Sequence, residues 1–169
     1  MKVVFLDIDG VLATPRQYAT RRNKLYSKDR HAQGLNIPYM WDERCVIAFN
    51  RFLRMNDVEI VLSSDWRRHF TMDEMDMICK INGLARSPIS FTPVLDKEDH
   101  ETLGDVRSRE IQSWLQNNKV AMWCAIDDME LTALGDKAVK TDERMGMGEW
   151  AKLDKLEGAL FLLQIVNNL

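Results

Sequence analysis

The chain has 169 residues, a length that suits one domain with a full core, and its 46% hydrophobic and 29% charged residues are ordinary for a globular protein. A formal net charge of -3 carries no global basic signal for nucleic acid, and no apolar window of about 18 residues suggests a membrane span. The three cysteines, Cys45, Cys79 and Cys124, are odd in number and set in apolar periodic segments. They offer no CxxC metal or redox motif and predict reduced core thiols in a cytoplasmic protein.

Lys2 to Leu6 is a short valine-rich apolar run and reads as a buried strand. Because strand begins so early, no secretory leader is expected. The run stops at Asp7-Ile8-Asp9-Gly10, where alternation puts both carboxylates on one side and the glycine can take φ > 0. Two anions held that close repel unless something positive lies between them, and a hard cation with oxygen ligands meets that need. A capped strand end leading into an ordinary turn is the plainer alternative.

Ala13 to Pro38 lacks sustained periodicity and carries Arg16, Arg21, Arg22, Lys24, Lys28 and Arg30 against one acid, Asp29, with Tyr18, Tyr26 and His31 interleaved. It is too long for a plain loop. Residues 13–40 therefore read either as a solvated insertion or as a small basic cap or flap that attracts an anionic substrate. Asp42 then caps a helix with Val46, Ile47, Phe49, Phe52 and Leu53 at apolar positions, broken by Asn56-Asp57.

Val58 to Leu62 is a second strand, running into Ser63-Ser64-Asp65-Trp66-Arg67-Arg68. Trp66 can stack on a base or pack under the loop, and Arg67-Arg68 reads as a solvated pair. Thr71 and Glu74 form a capping box for a helix that buries Met75, Ile78 and Cys79 and closes at Asn82-Gly83. Ile89 to Thr92 is a brief third strand, ended by Pro93 and followed by an acidic loop, Asp96 to Asp99. Asp105 is placed to cap the next helix, in which Ile111, Trp114 and Leu115 face the core. Val120 to Ile126 is a fourth strand ending at Asp127-Asp128, Ala138 to Lys140 a short fifth, and Met145 to Gly148 a turn. A last helix carries Leu153, Leu156, Leu160 and Leu163 as a packing stripe too short for a zipper. His31, His69 and His100 share no ligand spacing and read as surface residues.

Strands alternating with helices predict a single α/β domain over residues 1–169: a Rossmann-like, doubly wound parallel sheet of about five strands with a small insertion after the first. In such sheets ligands bind at the carboxyl ends of the strands. Asp7 and Asp9, Ser63 and Ser64, and Asp127 and Asp128 all fall on that edge, and the helix holding Arg107 and Arg109 opens there too. The set suits phosphoryl transfer. Carboxylates can hold one Mg²⁺, a free carboxylate can attack phosphorus, hydroxyls and an arginine can take the equatorial oxygens, and a second acid can move the proton.

This combination resembles the haloacid dehalogenase (HAD) superfamily of phosphohydrolases over most of the chain. Phe5-Leu-Asp7-Ile-Asp9-Gly10-Val11 is similar to the first motif, hhDxDG[TV]. The resemblance implies Asp7 as nucleophile, Asp9 as general acid/base with its backbone carbonyl on Mg²⁺, Ser63 in the second motif, and Asp127-Asp128 as the acidic fourth motif completing the metal site. For the third motif it implies Arg107, with Arg67 and Arg109 as further candidates. Arg107-x-x-Glu110-Ile111-x-x-Trp114-Leu115, Ser63 to Arg67 and Thr92-Pro93 resemble the small phage and bacterial branch associated with nucleic-acid repair. The departure is the cap, which is short here and leaves an open site.

The expectation is a Mg²⁺-dependent phosphomonoesterase working through phospho-Asp7. Asp7, Asp9, Ser63 and Arg107 are the catalytic residues. Asp7, Asp9, Asp127 and Asp128 form the metal site. Gly10, Ser64, Arg67, Arg109, Arg21 and Arg22 contact the substrate. That substrate is a nucleotidic phosphate, either a 3′-phosphate end of DNA or RNA or a nucleotide, with no membrane or stable protein partner. A small-metabolite phosphatase and a non-catalytic phosphate- or nucleic-acid-binding module are the competing readings.

Overall fold

The computed structural model describes residues 1–18, 20 and 40–149. Its centre is a five-stranded, wholly parallel sheet in the order β3-β2-β1-β4-β5. The strands are β1 (Lys2–Leu6), β2 (Glu59–Leu62), β3 (Ser90–Phe91), β4 (Met122–Asp127) and β5 (Ala138–Lys140). The helices are α1 (Pro15–Tyr18), α2 (Glu43–Asn56), α3 (Met72–Ile81) and α4 (Leu103–Gln116). The α/β doubly wound architecture is therefore present, although β2, β3 and β4 start later than the apolar runs alone suggest.

Alternation along β1 explains why both faces are covered. Val4 and Leu6 join a cluster with Phe49, Phe52 and Leu53 of α2 and with Met75, Ile78 and Cys79 of α3. Val3 and Phe5 point the other way and pack with Ile111 and Trp114 of α4. The Phe5 ring meets the Trp114 ring edge-on, with centroids 5.4 Å apart. Each such large apolar side chain contributes roughly 1.5–3 kcal/mol by burial, so a polar residue at Val4 or Phe5 would disrupt one whole layer.

Local chemistry sets the helix ends. The Asp42 carboxylate accepts from Arg44 N at 3.0 Å, and α2 stops where Asp57 takes a left-handed φ of 48°. Thr71 and Glu74 form the expected box on α3. At α4 the expectation needs correcting: Thr102 is the N-cap, and Asp105 is its partner at the third helical position, accepting from Thr102 N at 2.8 Å. A threonine hydroxyl one turn earlier completes a reciprocal box, which a lone aspartate could not. Ile47 is a second correction. It is exposed, and Cys45 takes the buried place on that face instead. The apolar stripe of α2 is narrower than its sequence period implies because only one sheet face lies against it.

Cys45, Cys79 and Cys124 are buried and free. Met147 is buried and donates its N–H to Val11 O at 3.0 Å, so the Met145 to Gly148 turn folds back under the loop after β1. No described helix is long and apolar enough to cross a membrane. The expected last helix with Leu153, Leu156, Leu160 and Leu163 lies outside the described residues, as do most of the 13–40 insertion and His31.

Candidate active site

Strand register builds the site. β1 is flanked by β2 and β4, with Leu6 level with Leu62 on one side and Ile126 on the other. The next residue along each chain, Asp7, Ser63 and Asp127, therefore lies at the same height on the carboxyl edge of the sheet. Asp7 N donates to Ile126 O at 3.0 Å, and Ser63 N to Leu6 O at 2.9 Å. The chain crosses from β3 over to β4 on the far side of β1, so β1 and β4 bound the point where winding reverses. Crevices open at such points.

Asp7, Asp127 and Asp128 each place a carboxylate oxygen within 4.8 Å of the other two. Asp7 and Asp127 are buried and Asp128 is half-buried. Burial, with the Asp127 charge next, raises the Asp7 pKa well above the ordinary value, against the pull of Arg107. Burial likewise raises Asp127 to about 6, again opposed by Arg107, and burial raises Asp128. Three hard oxygen donors whose charged forms are disfavoured without a cation fit a divalent ion such as Mg²⁺.

Glycine at position 10 makes that cluster possible. Its φ is +68°, and a Cβ there would stand 2.4 Å from Asp128 Oδ2. Its carbonyl accepts from Thr141 Oγ1 at 2.8 Å, which ties the turn to the end of β5. Asp9 is held differently: its Oδ2 accepts from Trp66 Nε1 at 2.9 Å. It is not one of the three clustered carboxylates, but its charge is near enough to help raise Asp128.

Of the three cations weighed for the third motif, Arg107 reaches the cluster. Its Nη1 lies 3.4 Å from Asp7 Oδ1 and donates to Asp127 Oδ2 at 3.2 Å. Burial would lower its pKa, but the surrounding carboxylates, Asp7 first, raise it, so it stays a cation. Arg109 points away, paired with Glu101 Oε1 at 2.6 Å and Glu98 Oε1 at 3.3 Å. Arg67 overturns the solvated-pair expectation. It is buried, donates to Ser64 O at 2.6 Å, and forms an ion pair with Glu110 Oε2. Arg68 does face solvent.

Ser63 Oγ is buried and has no hydrogen-bond partner. Ser64 lies near enough to Asp7 to favour its charged form, yet its hydroxyl meets no acceptor at full hydrogen-bond geometry. Buried hydroxyls left open at a strand end are poised for a ligand. Trp66 is buried, 5.9 Å from Trp41 and 5.4 Å from Phe70 between ring centroids, so it packs under the loop and offers no face to a base. His69 and His100 are exposed. Arg21 and Arg22 lie outside the described residues.

Glu110 and Asp65 lie in the Arg107 and Ser63 motifs, but the sequence assigns them no site role. Glu110 Oε2 lies 3.6 Å from Arg107 Nε, and Glu110 Oε1 accepts from Leu95 N at 3.1 Å. The i,i+3 spacing of Arg107 and Glu110 on one helix face was the available signal. Asp65 Oδ1 lies 3.7 Å from Arg107 Nη2, an approach that only the fold reveals.

A family model described as the HAD domain in Swiss Army Knife RNA repair proteins matches residues 3–150. No curated protein and no solved structure matches the chain. The matched span runs from β1 through the turn after β5 and so contains every site residue described above. The chain belongs to the HAD domains of Swiss Army Knife RNA repair proteins, a family of HAD phosphatase type.

Proposed function

We propose that the protein is a Mg²⁺-dependent phosphomonoesterase that acts through a phospho-Asp7 intermediate on a nucleotidic phosphate, foremost a 3′-phosphate end of RNA or DNA. The observation that carries this reading is the convergence of Asp7, Asp127 and Asp128 within 4.8 Å, with Arg107 Nη1 3.4 Å from Asp7. Asp7, Asp127, Asp128 and the Asp9 backbone carbonyl would hold the cation, which when bound supplies positive charge to the carboxylates and to the phosphoryl oxygens.

Asp7 Oδ attacks phosphorus while the bond to the leaving oxygen breaks, and Asp9 gives that oxygen a proton. Asp9 then takes a proton from water, whose oxygen attacks the same phosphorus. The bond to Asp7 breaks, and inorganic phosphate leaves. Arg107 neutralises charge on the transferring group, and the Ser63 and Ser64 hydroxyls donate to its equatorial oxygens. Arg67 supports the site from behind through Glu110. The basic stretch containing Arg21 and Arg22 would draw in the anionic strand. Buried reduced thiols suit a cytoplasmic setting.

The family's association with RNA repair favours nucleic-acid ends over small metabolites. The test is phosphate release, with Mg²⁺ or with EDTA, from 3′- and 5′-phosphorylated oligonucleotides, mononucleotides and sugar phosphates. EDTA-sensitive turnover led by 3′-phosphorylated ends is expected. Turnover confined to sugar phosphates would overturn the substrate assignment, and none at all would overturn the enzyme.

A further inference from the structure

Beside Arg107 lies a groove that the phosphoryl chemistry leaves unused. It encloses about 80 Å³ and is lined by the charged Asp65, Arg68, Arg107 and Glu110 and the apolar Leu103, Val106 and Met129; Glu110 is itself paired with Arg67. At its rim the Asp65 carboxylate, 68% exposed, is faced by three guanidinium groups: Arg68 Nε at 3.3 Å, Arg107 Nη2 at 3.7 Å and Arg67 Nη1 at 3.8 Å. Three cations converge on one small anion, and only Arg68 hydrogen-bonds it.

Arg107 connects this place to the reacting carboxylate. Its Nη1 faces Asp7 and Asp127 while its Nη2 faces Asp65. One guanidinium group therefore separates two anion positions, one for the phosphoryl group that reacts and one now taken by Asp65. The first turn of α4, at Leu103 and Val106, lines the same groove.

We infer that Asp65 holds the place of a second substrate phosphate, the one a single nucleotide away from the terminal phosphate, and that Arg68 and Arg107 Nη2 bind it. This rests on the phosphomonoesterase reading. The Arg68–Asp65 contact is an exposed i,i+3 pair and contributes little, and the buried Arg67 and Arg107 keep Glu110, Asp7 and Asp127 as closer partners, so swinging Asp65 into water costs little. A phosphate presents several acceptor oxygens to a guanidinium fork and can bind it bidentately, which the tethered carboxylate does not do here. Leu103, Val106 and Met129 form an apolar wall against which the sugar or base between the two phosphates lies. A free nucleoside 3′-phosphate fills only the first position. A strand end fills both.

Equilibrium binding tests this apart from catalysis. In Asp7→Asn protein, which keeps its ligands intact, affinities are measured for a nucleoside 3′-phosphate, a nucleoside 3′,5′-bisphosphate and a dinucleotide 3′-phosphate. The bisphosphate and the dinucleotide should both bind about tenfold tighter than the monophosphate. Adding Arg68→Gln should erase that preference, and adding Asp65→Asn should enlarge it. Equal affinities for the three ligands would overturn the inference. So would a preference shown by the dinucleotide alone, one that survives Arg68→Gln, or one lost in Asp65→Asn. Failure of phosphate release by the wild-type protein would instead count against the enzymatic reading, leaving the binding result legible.

Discussion

Trp66 Nε1 donates to Asp9 Oδ2 at 2.9 Å, so a residue just past the end of β2 orients a carboxylate just past the end of β1. The indole is itself fixed by packing on Trp41 and Phe70. If Asp9 moves the leaving-group proton, its aim depends on that hydrogen bond. Trp66→Phe keeps most of the ring packing and removes the donor. We expect kcat to fall about tenfold on an alkyl phosphate, whose leaving oxygen needs a proton, and much less on p-nitrophenyl phosphate, whose leaving group does not. Equal losses on both substrates would remove Trp66 from the proton path.

Glu110 is the countercharge for two arginines. It pairs with Arg67 inside the protein, and its Oε2 lies 3.6 Å from Arg107 Nε. Glu110→Gln leaves Arg67 buried without a full partner and frees one side of Arg107. Breaking a buried pair in this way costs about 3–5 kcal/mol. Denaturant unfolding should show a loss of that order, and a loss below about 0.5 kcal/mol would contradict the burial of this network.

The raised carboxylates give the protein a pH-dependent need for metal. Asp127 is pushed up to about 6 from an ordinary 3.8 by burial, and Asp7 shifts in the same direction. From the ordinary value upward the folded state holds more protons than the unfolded state, so stability without metal falls as pH rises, and the Asp127 share of the penalty is complete above about 6. A bound cation removes that penalty by favouring the ionised forms. Thermal unfolding should therefore show a larger Mg²⁺-induced rise in Tm at pH 7.5 than at pH 5. A rise independent of pH, or none, would speak against the three-aspartate site.

Gly10 tests the same site sterically. Its φ of +68° disfavours any side chain, and a Cβ would meet Asp128 Oδ2 at 2.4 Å. Gly10→Ala should cost about 1–2 kcal/mol in stability and weaken Mg²⁺ binding, since Asp128 must move. Calorimetric titration of Mg²⁺ into wild type and variant checks it. Unchanged affinity would place Asp128 outside the metal shell.

Much of this was legible in the sequence because it depends on local rules. Continuous apolar runs mark β1 and β4, and their carboxyl ends put Asp7 and Asp127 on one edge. The Thr71–Glu74 box and the break at Asp57 follow from short-range hydrogen bonding. What escaped depends on distances between segments. Arg67 reads as a surface residue beside Arg68, but the 3₁₀ turn at Asp65–Arg68 turns it inward to meet Glu110 from α4. The link from Trp66 to Asp9 joins positions 57 residues apart and has no periodic signature. Ile47 fits the helical period of α2 yet faces solvent, because period alone does not give the width of the covered face.

The most direct test of the account is to look for the phosphoryl group on the protein. Wild-type protein is quenched in acid during Mg²⁺-supported turnover of a 3′-phosphorylated oligonucleotide, digested, and mapped by mass spectrometry beside Asp7→Asn. The account predicts a phosphorylated peptide carrying Asp7 in the wild type, and neither that peptide nor phosphate release in the folded variant. Turnover at the wild-type rate in Asp7→Asn, or a phosphoryl group on another residue, would contradict it.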